Sequence, residues 1–359
     1  LKLSSFPFVS GIEQYFREDM DSLTQVVLGA AVAEAVAGRK MGAKAAMWGA
    51  IAGTIPDLDV FLRAFYHPID AALVHRGFSH SILFSVIFGP VFAWLTYHLY
   101  KKRYELKTWR WLWFLALITH PILDMFTNYG TEFLWPISTR ITFNTVFVVD
   151  PLYTLPFMFF LLVALFMKRE SERRRKWNMT GIYYSSGYLM WGVIVKLFIL
   201  SGTTSNFKEA GYEIKTDMVT PMPLTSFYWM MLVEDEKNFY VGYKSLFYPF
   251  EKMDIDTVPK NQAPLDQLRW KGKNYSETLK FISKGSYTTE MKGEDTLIFY
   301  DMRFGLLSKM TANMEKHPLF GYEMVIDNNT VQKTDNFRGR GMSNRLNFGW
   351  YINKIFNHE

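Results

Sequence analysis

The sequence contains no cysteine, which removes disulfide scaffolds, thiolate zinc sites, iron–sulfur clusters and cysteine nucleophiles together. Charge is also scarce. Asp, Glu, Lys and Arg make up 21% of the chain, against 49% hydrophobic and 17% aromatic residues, which is too apolar for a disordered or fibrous protein. No helix-turn-helix, zinc-finger or RNP-type pattern occurs, so nucleic acid is not expected as a partner. Beyond residue 200 there is no glycine-rich phosphate loop, GxSxG, HExxH or EF-hand. Leu1 to Asp19 lacks the basic, apolar, small-residue order of a cleavable signal peptide, and residues 1–19 are read as an extension with no assigned role.

What is present divides unevenly. A chain of 359 residues suffices for two domains of about 100–200 residues each. Residues 1–200 carry 20 Lys+Arg and 14 Asp+Glu, whereas residues 201–359 carry 20 of each. The net charge of +6 therefore sits in the first part, among the longest apolar runs, as expected of membrane-flanking loops. Four stretches approach the roughly 20 apolar residues that a bilayer requires. They are Ser81–Tyr100, Trp109–Phe126, Val146–Met167 and Ile182–Leu200. Two weaker segments rich in Ala and Gly, Leu23–Ala37 and Ala43–Ile55, precede them; small residues permit close helix approach.

Basic residues gather at Arg39, Lys40 and Lys44, at Lys101–Arg110 and at Lys168–Lys176. Threading the chain through six segments puts all three clusters on one side, which the positive-inside rule makes cytoplasmic. The expected architecture is an α-helical polytopic domain over residues 20–203 in the inner (cytoplasmic) membrane. It has about four strong transmembrane helices plus the weaker N-terminal pair. A smaller α+β soluble domain, residues 204–359, follows on the extracytoplasmic side. Within it, Thr225–Val233 and Asn238–Lys244 read as a hairpin, Thr296–Met302 and Tyr322–Ile326 as strands, and Leu265–Ser283 as helical. Asn344–Trp350 reads as an edge or packing feature.

Ionisable groups within apolar spans are costly and default to function. Here they cluster in three motifs: Pro56-Asp57-Leu58-Asp59, His75-Arg76-Gly77-Phe78-Ser79-His80-Ser81, and His120-Pro121-Ile122-Leu123-Asp124. Five of the seven histidines fall between His67 and His120. In the threaded order Asp57, Asp59, His75, His80, His120 and Asp124 come to one depth on the outer side. Imidazole and carboxylate are the usual ligands of zinc and similar ions where thiolate is lacking. His120 and Asp124, four apart, share a helical face, and Ser79 reads as an N-cap that frees His75 from the helix it precedes. His67, His98, His317 and His358 have no such company.

These motifs, with Asp21-Ser22-Leu23-Thr24-Gln25 and Gly53-Thr54-Ile55 ahead of them, resemble the YdjM-like family of predicted membrane-bound metal-dependent hydrolases. The resemblance covers about residues 20–165, with looser similarity from Thr220-Pro221 to Tyr243. It implies that Asp57, Asp59, His75, His80, His120 and Asp124 hold one or two Zn²⁺ or other divalent ions. It also implies a distant likeness to zinc-dependent phospholipase C and P1-type nucleases. Many members have Thr-His where this chain has Thr24-Gln25, so Gln25 is read as a polar contact rather than a ligand. Glu34 and Asp150 are candidate general bases; Glu34 reads equally as a helix-packing carboxylate, and Asp150 as a helix-start residue before Pro151. Arg76 is a candidate clamp for an anionic phosphate or a lipid-headgroup contact. The leading expectation is a hydrolase of a phosphoester or lipid-borne substrate at the outer face, with membrane lipid as partner. The alternative is a membrane scaffold or regulatory protein with a structural metal.

Overall fold

A computed structural model describes residues 7–209, 211–212, 216–248, 253–266, 268–270, 273–306, 318–338 and 348–356. Two long helical hairpins and a third pair make up the first half. Helix α1 (Pro7–Met41) reverses at Gly42, whose φ of +64° suits glycine, into α2 (Ala43–Thr54). Small residues let these two helices touch along their backbones. A Cβ at Gly49 would lie 2.2 Å from the Gly29 carbonyl oxygen, and one at Gly53 would lie 2.4 Å from that of Gln25.

Pro56 then starts a 3₁₀ segment, Pro56–Phe65, bent 44° from α2. A short helix α3 (Pro68–Val74) and a 3₁₀ turn (Phe78–His80) lead into α4 (Ile82–Leu99), whose N-cap Ser81 accepts from the Phe84 N–H at 3.0 Å. Helices α5 (Leu106–Phe126), α6 (Pro151–Leu165) and α7 (Glu172–Glu209) follow.

Contacts at both ends fix the alternation of these helices. At one end Arg39 of α1 pairs with Glu172 of α7, and Lys40 reaches Glu105 at 3.2 Å ahead of α5, so the three basic loops meet in space. At the other end Gln25 of α1 meets Asp124 of α5, and Thr24 meets Thr154 of α6. Helix α5 is central and buries Trp109, Leu112, Trp113, Ala116, Leu117, His120, Leu123 and Asp124. Helices α4, α6 and α7 turn large apolar residues outward, among them Val86, Trp94, Leu95, Phe159, Leu162, Ile194 and Leu197.

The spans require correction. Among the described residues, two helices are long and apolar enough to cross a bilayer, Ile82–Leu99 and Glu172–Gly202, or three if the bent α2–3₁₀ pair counts as one; four strong spans are not found among them. The Val146–Met167 stretch yields only the 15-residue α6, because Phe147 and Val149 leave the apolar run to join the core beneath the sheets. Helix α5 keeps its place in the bundle although its charged and aromatic residues lower its hydropathy. Being central, it has little lipid to satisfy.

The second half holds two sheets. The first is an antiparallel meander of β1 (Thr216–Pro221), β2 (Tyr228–Glu234), β3 (Asn238–Ser245) and β4 (Ile255–Pro259). The second has the order β6-β5-β10-β9-β8-β7, antiparallel except where β5 (Arg269–Trp270) lies parallel to β10 (Thr330–Arg338). Its other strands are β6 (Lys273–Asn274), β7 (Tyr287–Lys292), β8 (Thr296–Leu306) and β9 (Pro318–Asp327).

The hairpin and both later strands expected from the sequence fall on β2–β3, β8 and β9. The helical stretch Leu265–Ser283 does not form one helix. It begins at the end of a four-residue turn, α8 (Ala263–Asp266), passes through β5 and β6, and becomes helical again only at α9 (Tyr275–Ser283), capped by Asn274. A last helix, α10 (Phe348–Phe356), packs Tyr351 and Ile355 under β3; the rest of Asn344–Trp350 lies outside the described residues. The two halves interlock through α3. Its Ile69, fully buried, enters the core formed by α9 and the six-stranded sheet, and Tyr275 donates to Asp70 at 3.0 Å while stacking on His67.

Candidate metal centre

The centre forms where two chain breaks meet one face of α5. Pro56 ends α2 and projects Asp57 from the first turn of the 3₁₀ segment, the Phe78–His80 turn carries His80, and His120 and Asp124 lie one turn apart on α5. Asp57 Oδ1 stands 3.2 Å from His80 Nε2 and 3.4 Å from His120 Nε2. Asp124 Oδ2 is 3.5 Å from His80 Nε2 and 3.7 Å from His120 Nε2. Asp57, His80 and His120 form a group whose donor atoms all lie within 4.8 Å of one another, a set that could hold a metal ion.

Hydrogen bonds behind the imidazoles decide which nitrogens face inward. His120 Nδ1 sits 2.6 Å from the Gly53 carbonyl, which can only accept, so this nitrogen carries a proton, and in the neutral imidazole Nε2 is the one that keeps its lone pair. His80 Nδ1 lies 2.9 Å from Ser79 Oγ and 3.4 Å from Asp59 Oδ2, while Ser79 donates to Asp59 at 2.7 Å. The carboxylate behind His80 favours the same tautomer. His120 Nε2 and Asp124 Oδ2 are buried and accept no hydrogen bond. Unpaired acceptors of this kind, sharing one space with Asp57, fit a cation.

The six residues expected as ligands therefore divide. Asp57, His80, His120 and Asp124 converge. Asp59 and His75 form an adjoining pair, with His75 Nδ1 at 2.7 Å from Asp59 Oδ1, and Asp59 Oδ2 also accepts from the Arg76 backbone N–H at 3.3 Å. Burial holds the His75 imidazole below its usual range, against the pull of Asp59. Gln25 donates from Nε2 to Asp124 Oδ1 at 2.8 Å and so orients that carboxylate. Arg76 is 3% exposed, in a left-handed conformation with φ of +66°. Its Nη1 donates to Thr127 at 3.0 Å, its Nε lies 3.8 Å from Asp124 Oδ2, and it lies over the Tyr129 ring at 5.1 Å. It is therefore a buried neighbour of the centre and not a headgroup contact on the surface.

The two candidate bases stand apart from the convergence. Glu34 lies nine residues beyond Gln25 on α1, about 13 Å along the axis. There Arg174 grips it with two hydrogen bonds of 2.6 and 2.8 Å, and the carboxylate folds over Gly38. Asp150 caps α6, accepting from Leu152 at 2.9 Å and Tyr153 at 3.3 Å, and takes the Tyr188 hydroxyl at 2.8 Å. The helix-packing and helix-start readings describe these two contact sets.

Sequence reading passed over Arg140, whose Nη2 donates to the carbonyls of Ala72 at 2.8 Å, Leu73 at 3.1 Å and His75 at 2.8 Å. This arginine closes the loop that carries His75 and Arg76. The one available signal was a solitary basic residue in the apolar stretch between α5 and α6.

With this geometry in hand, comparison with known proteins places the chain. The model of the family described as YdjM inner membrane protein matches residues 20–199, a range that holds every donor described above. The chain belongs to the YdjM inner membrane protein family. A relative in Bacillus subtilis (strain 168), the uncharacterized protein YfhP, is 30% identical over 140 residues, covering 37% of this chain and 42% of that protein. The chain thus spans less than half the length of that curated relative. No solved structure matches the chain significantly. Membership identifies an inner membrane protein, in agreement with the apolar helices α4 and α7.

Proposed function

We propose that this YdjM-family member is a metal-dependent hydrolase of lipid-borne phosphoesters, with Asp57, His80, His120 and Asp124 holding a zinc-like ion. The reading rests on the two buried acceptors without partners, His120 Nε2 and Asp124 Oδ2, turned toward His80 Nε2 and Asp57 Oδ1. Distances support it. Ligands about 2.0–2.1 Å from a tetrahedral ion stand about 3.3 Å from one another; Asp57 Oδ1 is 3.2 and 3.4 Å from the two imidazole nitrogens, and Asp124 Oδ2, beside that group of three, is 3.5 and 3.7 Å from the same nitrogens. The shortest, from His80 Nε2 to Asp57 Oδ1, is also within hydrogen-bond reach, while the other three are longer.

A divalent ion at such a site lowers the pKa of bound water toward about 7 and polarises a phosphoryl oxygen. The chain supplies the rest. The Gly53 carbonyl and Asp59 fix the imidazole tautomers, Gln25 fixes Asp124, and Arg76 presents a guanidinium beside the centre for an anionic phosphate oxygen. Asp57, the most accessible of the four donors at 19% side-chain exposure, marks the open side.

One observation favours a second reading. Four protein donors make a closed set, which is characteristic of structural zinc, whereas catalytic sites keep one position for water. Metal analysis of the detergent-purified full-length chain tests both. The proposal expects at least one zinc-like ion per chain, its loss in His120→Ala, and metal-dependent hydrolysis of phospholipid in mixed micelles. Asp59→Asn should weaken metal binding about 10–100-fold through the orientation of His80. Bound metal without turnover, accompanied by unfolding on chelation, selects the structural reading. Absence of metal, with a His75→Ala/His120→Ala variant folding as the parent does, overturns both.

A further inference from the structure

Behind the His75-Arg76 loop, where the membrane helices meet the six-stranded sheet, three cations from three separate elements crowd together. Arg140 comes from the loop between α5 and α6, Lys284 from the C-cap of α9, and Arg303 from β8, whose charge acts on both of the others. Lys284 Nζ donates to the Arg140 carbonyl at 3.1 Å. Arg303, 2% exposed, is bound by Asp301 through Nε and Nη2 at 2.9 and 2.6 Å, but its Nη1 is buried and donates to nothing. Arg140, 8% exposed, likewise has a buried Nε with no acceptor; the nearest carboxylate oxygen, on Glu132, is 3.9 Å away. Rings cover the guanidinium faces, Phe281 lying 5.5 Å from Arg140 and Phe304 lying 5.4 Å from Arg303.

Burial, and after it the neighbouring positive charges, shifts the equilibria of this group. Burial, then the charges of Arg303 and Arg76, lowers Arg140 to about 10, and burial with Arg303, Arg140 and Lys196 lowers Lys284 to about 8. Among the described residues, the carboxylates paired with the group are Asp301, engaged with Arg303, and Glu132. Two carboxylates against three cations leave positive charge uncompensated in a place with little water, and two N–H donors without acceptors. A tetrahedral oxyanion supplies both the charge and the acceptors, in the geometry to which a guanidinium fork is suited.

We propose that Arg140 and Arg303, with Lys284 at the rim, form a binding site for a phosphate-type anion at the seam between the membrane helices and the six-stranded sheet. The anion is either a free phosphate or the phosphate of a lipid headgroup. The site uses none of the metal donors, and its test reads binding lost in variants of its own three residues, so it is independent of the hydrolase reading.

The experiment is equilibrium binding to the detergent-purified full chain as isolated. The probes are inorganic phosphate, dihexanoyl phosphatidic acid and, as a zwitterionic control, dihexanoyl phosphatidylcholine. The proposal expects saturable binding of phosphate or phosphatidic acid, the tighter of the two naming the source, with phosphatidylcholine weaker than both. Losing one charge-assisted contact should weaken binding about 10–100-fold in Arg303→Gln and Arg140→Gln. Lys284→Gln, at the rim with its ammonium turned inward to the Arg140 carbonyl, should weaken it about 3–10-fold, and Arg303→Lys should fall between parent and Arg303→Gln. No saturable binding of either anion by the parent chain overturns the proposal. So does binding that Lys284→Gln and Arg303→Lys leave unchanged.

Discussion

Replacing Gly49 by alanine places a methyl group 2.2 Å from the Gly29 carbonyl oxygen and 2.3 Å from the Ala33 Cβ, where ordinary contact begins at 3.4 Å. The first obstacle is backbone, so the strain cannot be relieved by a rotamer change. Helices α1 and α2 must separate by about 1.2 Å at this level, an overpacking that costs about 1–3 kcal/mol. Better helix propensity returns about 0.5–1 kcal/mol. The remainder, about 1–2 kcal/mol, corresponds to a melting temperature lower by about 2–8 °C for a bundle of this size.

The centre should register the same displacement. Gly53, one turn beyond Gly49, holds His120 Nδ1 at 2.6 Å, and an added ångström breaks that bond. Metal affinity should then fall about 10–100-fold, as it does when an imidazole loses its anchoring acceptor. Tryptophan fluorescence melts in detergent and competitive zinc titration read the two effects. Gly187→Ala on α7, which meets nothing within 4 Å, is the control and should be neutral or slightly stabilising. If Gly49→Ala melted with the parent and bound zinc within twofold of it, the claim that backbone contact between α1 and α2 positions the centre would be refuted.

Arg174→Ala should destabilise the bundle by about 3–5 kcal/mol, because it leaves Glu34 charged and buried without its partner; metal content per folded chain should be unaffected, and a loss would return Glu34 to the centre. Ile69→Ala should cost about 2–5 kcal/mol, since its fully buried side chain ties α3 to the sheet domain. Faster hydrogen exchange in the His75–His80 loop should accompany that loss, and unchanged exchange there would show that the domain does not brace the loop. For topology, a cysteine at Lys292 should react with a membrane-impermeant thiol reagent in intact cells, and one at Ser171 only after permeabilisation. The reverse pattern would put the centre at the cytoplasmic leaflet.

The centre was legible because its residues violate the chemistry of their surroundings. An aspartate following Pro56, and a histidine and an aspartate four apart in an apolar helix, stand out wherever lipid-compatible residues are expected. The basic loops were legible for the same reason, and Arg39 with Glu172 and Lys40 with Glu105 bring them together at one end.

Partner choice was not legible. Asp57 and Asp59 are two residues apart with the same chemistry, yet one faces His120 and the other backs His75 and His80, because the 3₁₀ segment turns them to different sides. Nor could composition separate a central helix from a lipid-facing one: α5 and α4 differ in what surrounds them. The Val146–Val149 run was apolar for a different reason, its burial under the sheet domain. Arg140 and Arg303 lie 163 residues apart in sequence, and only the fold brings them into one electrostatic field.

Charge around the centre constrains what can occupy it. Asp57, Asp59 and Asp124 contribute three negative charges within a buried volume, and Arg76 offsets one of them. Two units remain, and in a medium of low dielectric they must be neutralised. Protons on His80 and His120 could do so, as could one divalent cation. The two are exclusive, because a ligating imidazole must be neutral. The hydrogen bond from His120 to Gly53 already commits its proton to Nδ1 and leaves Nε2 facing two carboxylates as a fellow acceptor. A second proton there would improve those contacts, but donors and acceptors would then be expected to close below 3 Å. They stand instead at 3.2–3.7 Å, held off by Gln25, Asp59 and the Gly53 carbonyl behind them. The surrounding structure thus keeps these groups 3.2–3.7 Å apart, and the proposed divalent ion and protons on the two imidazoles are the two alternatives that metal analysis of the purified chain separates.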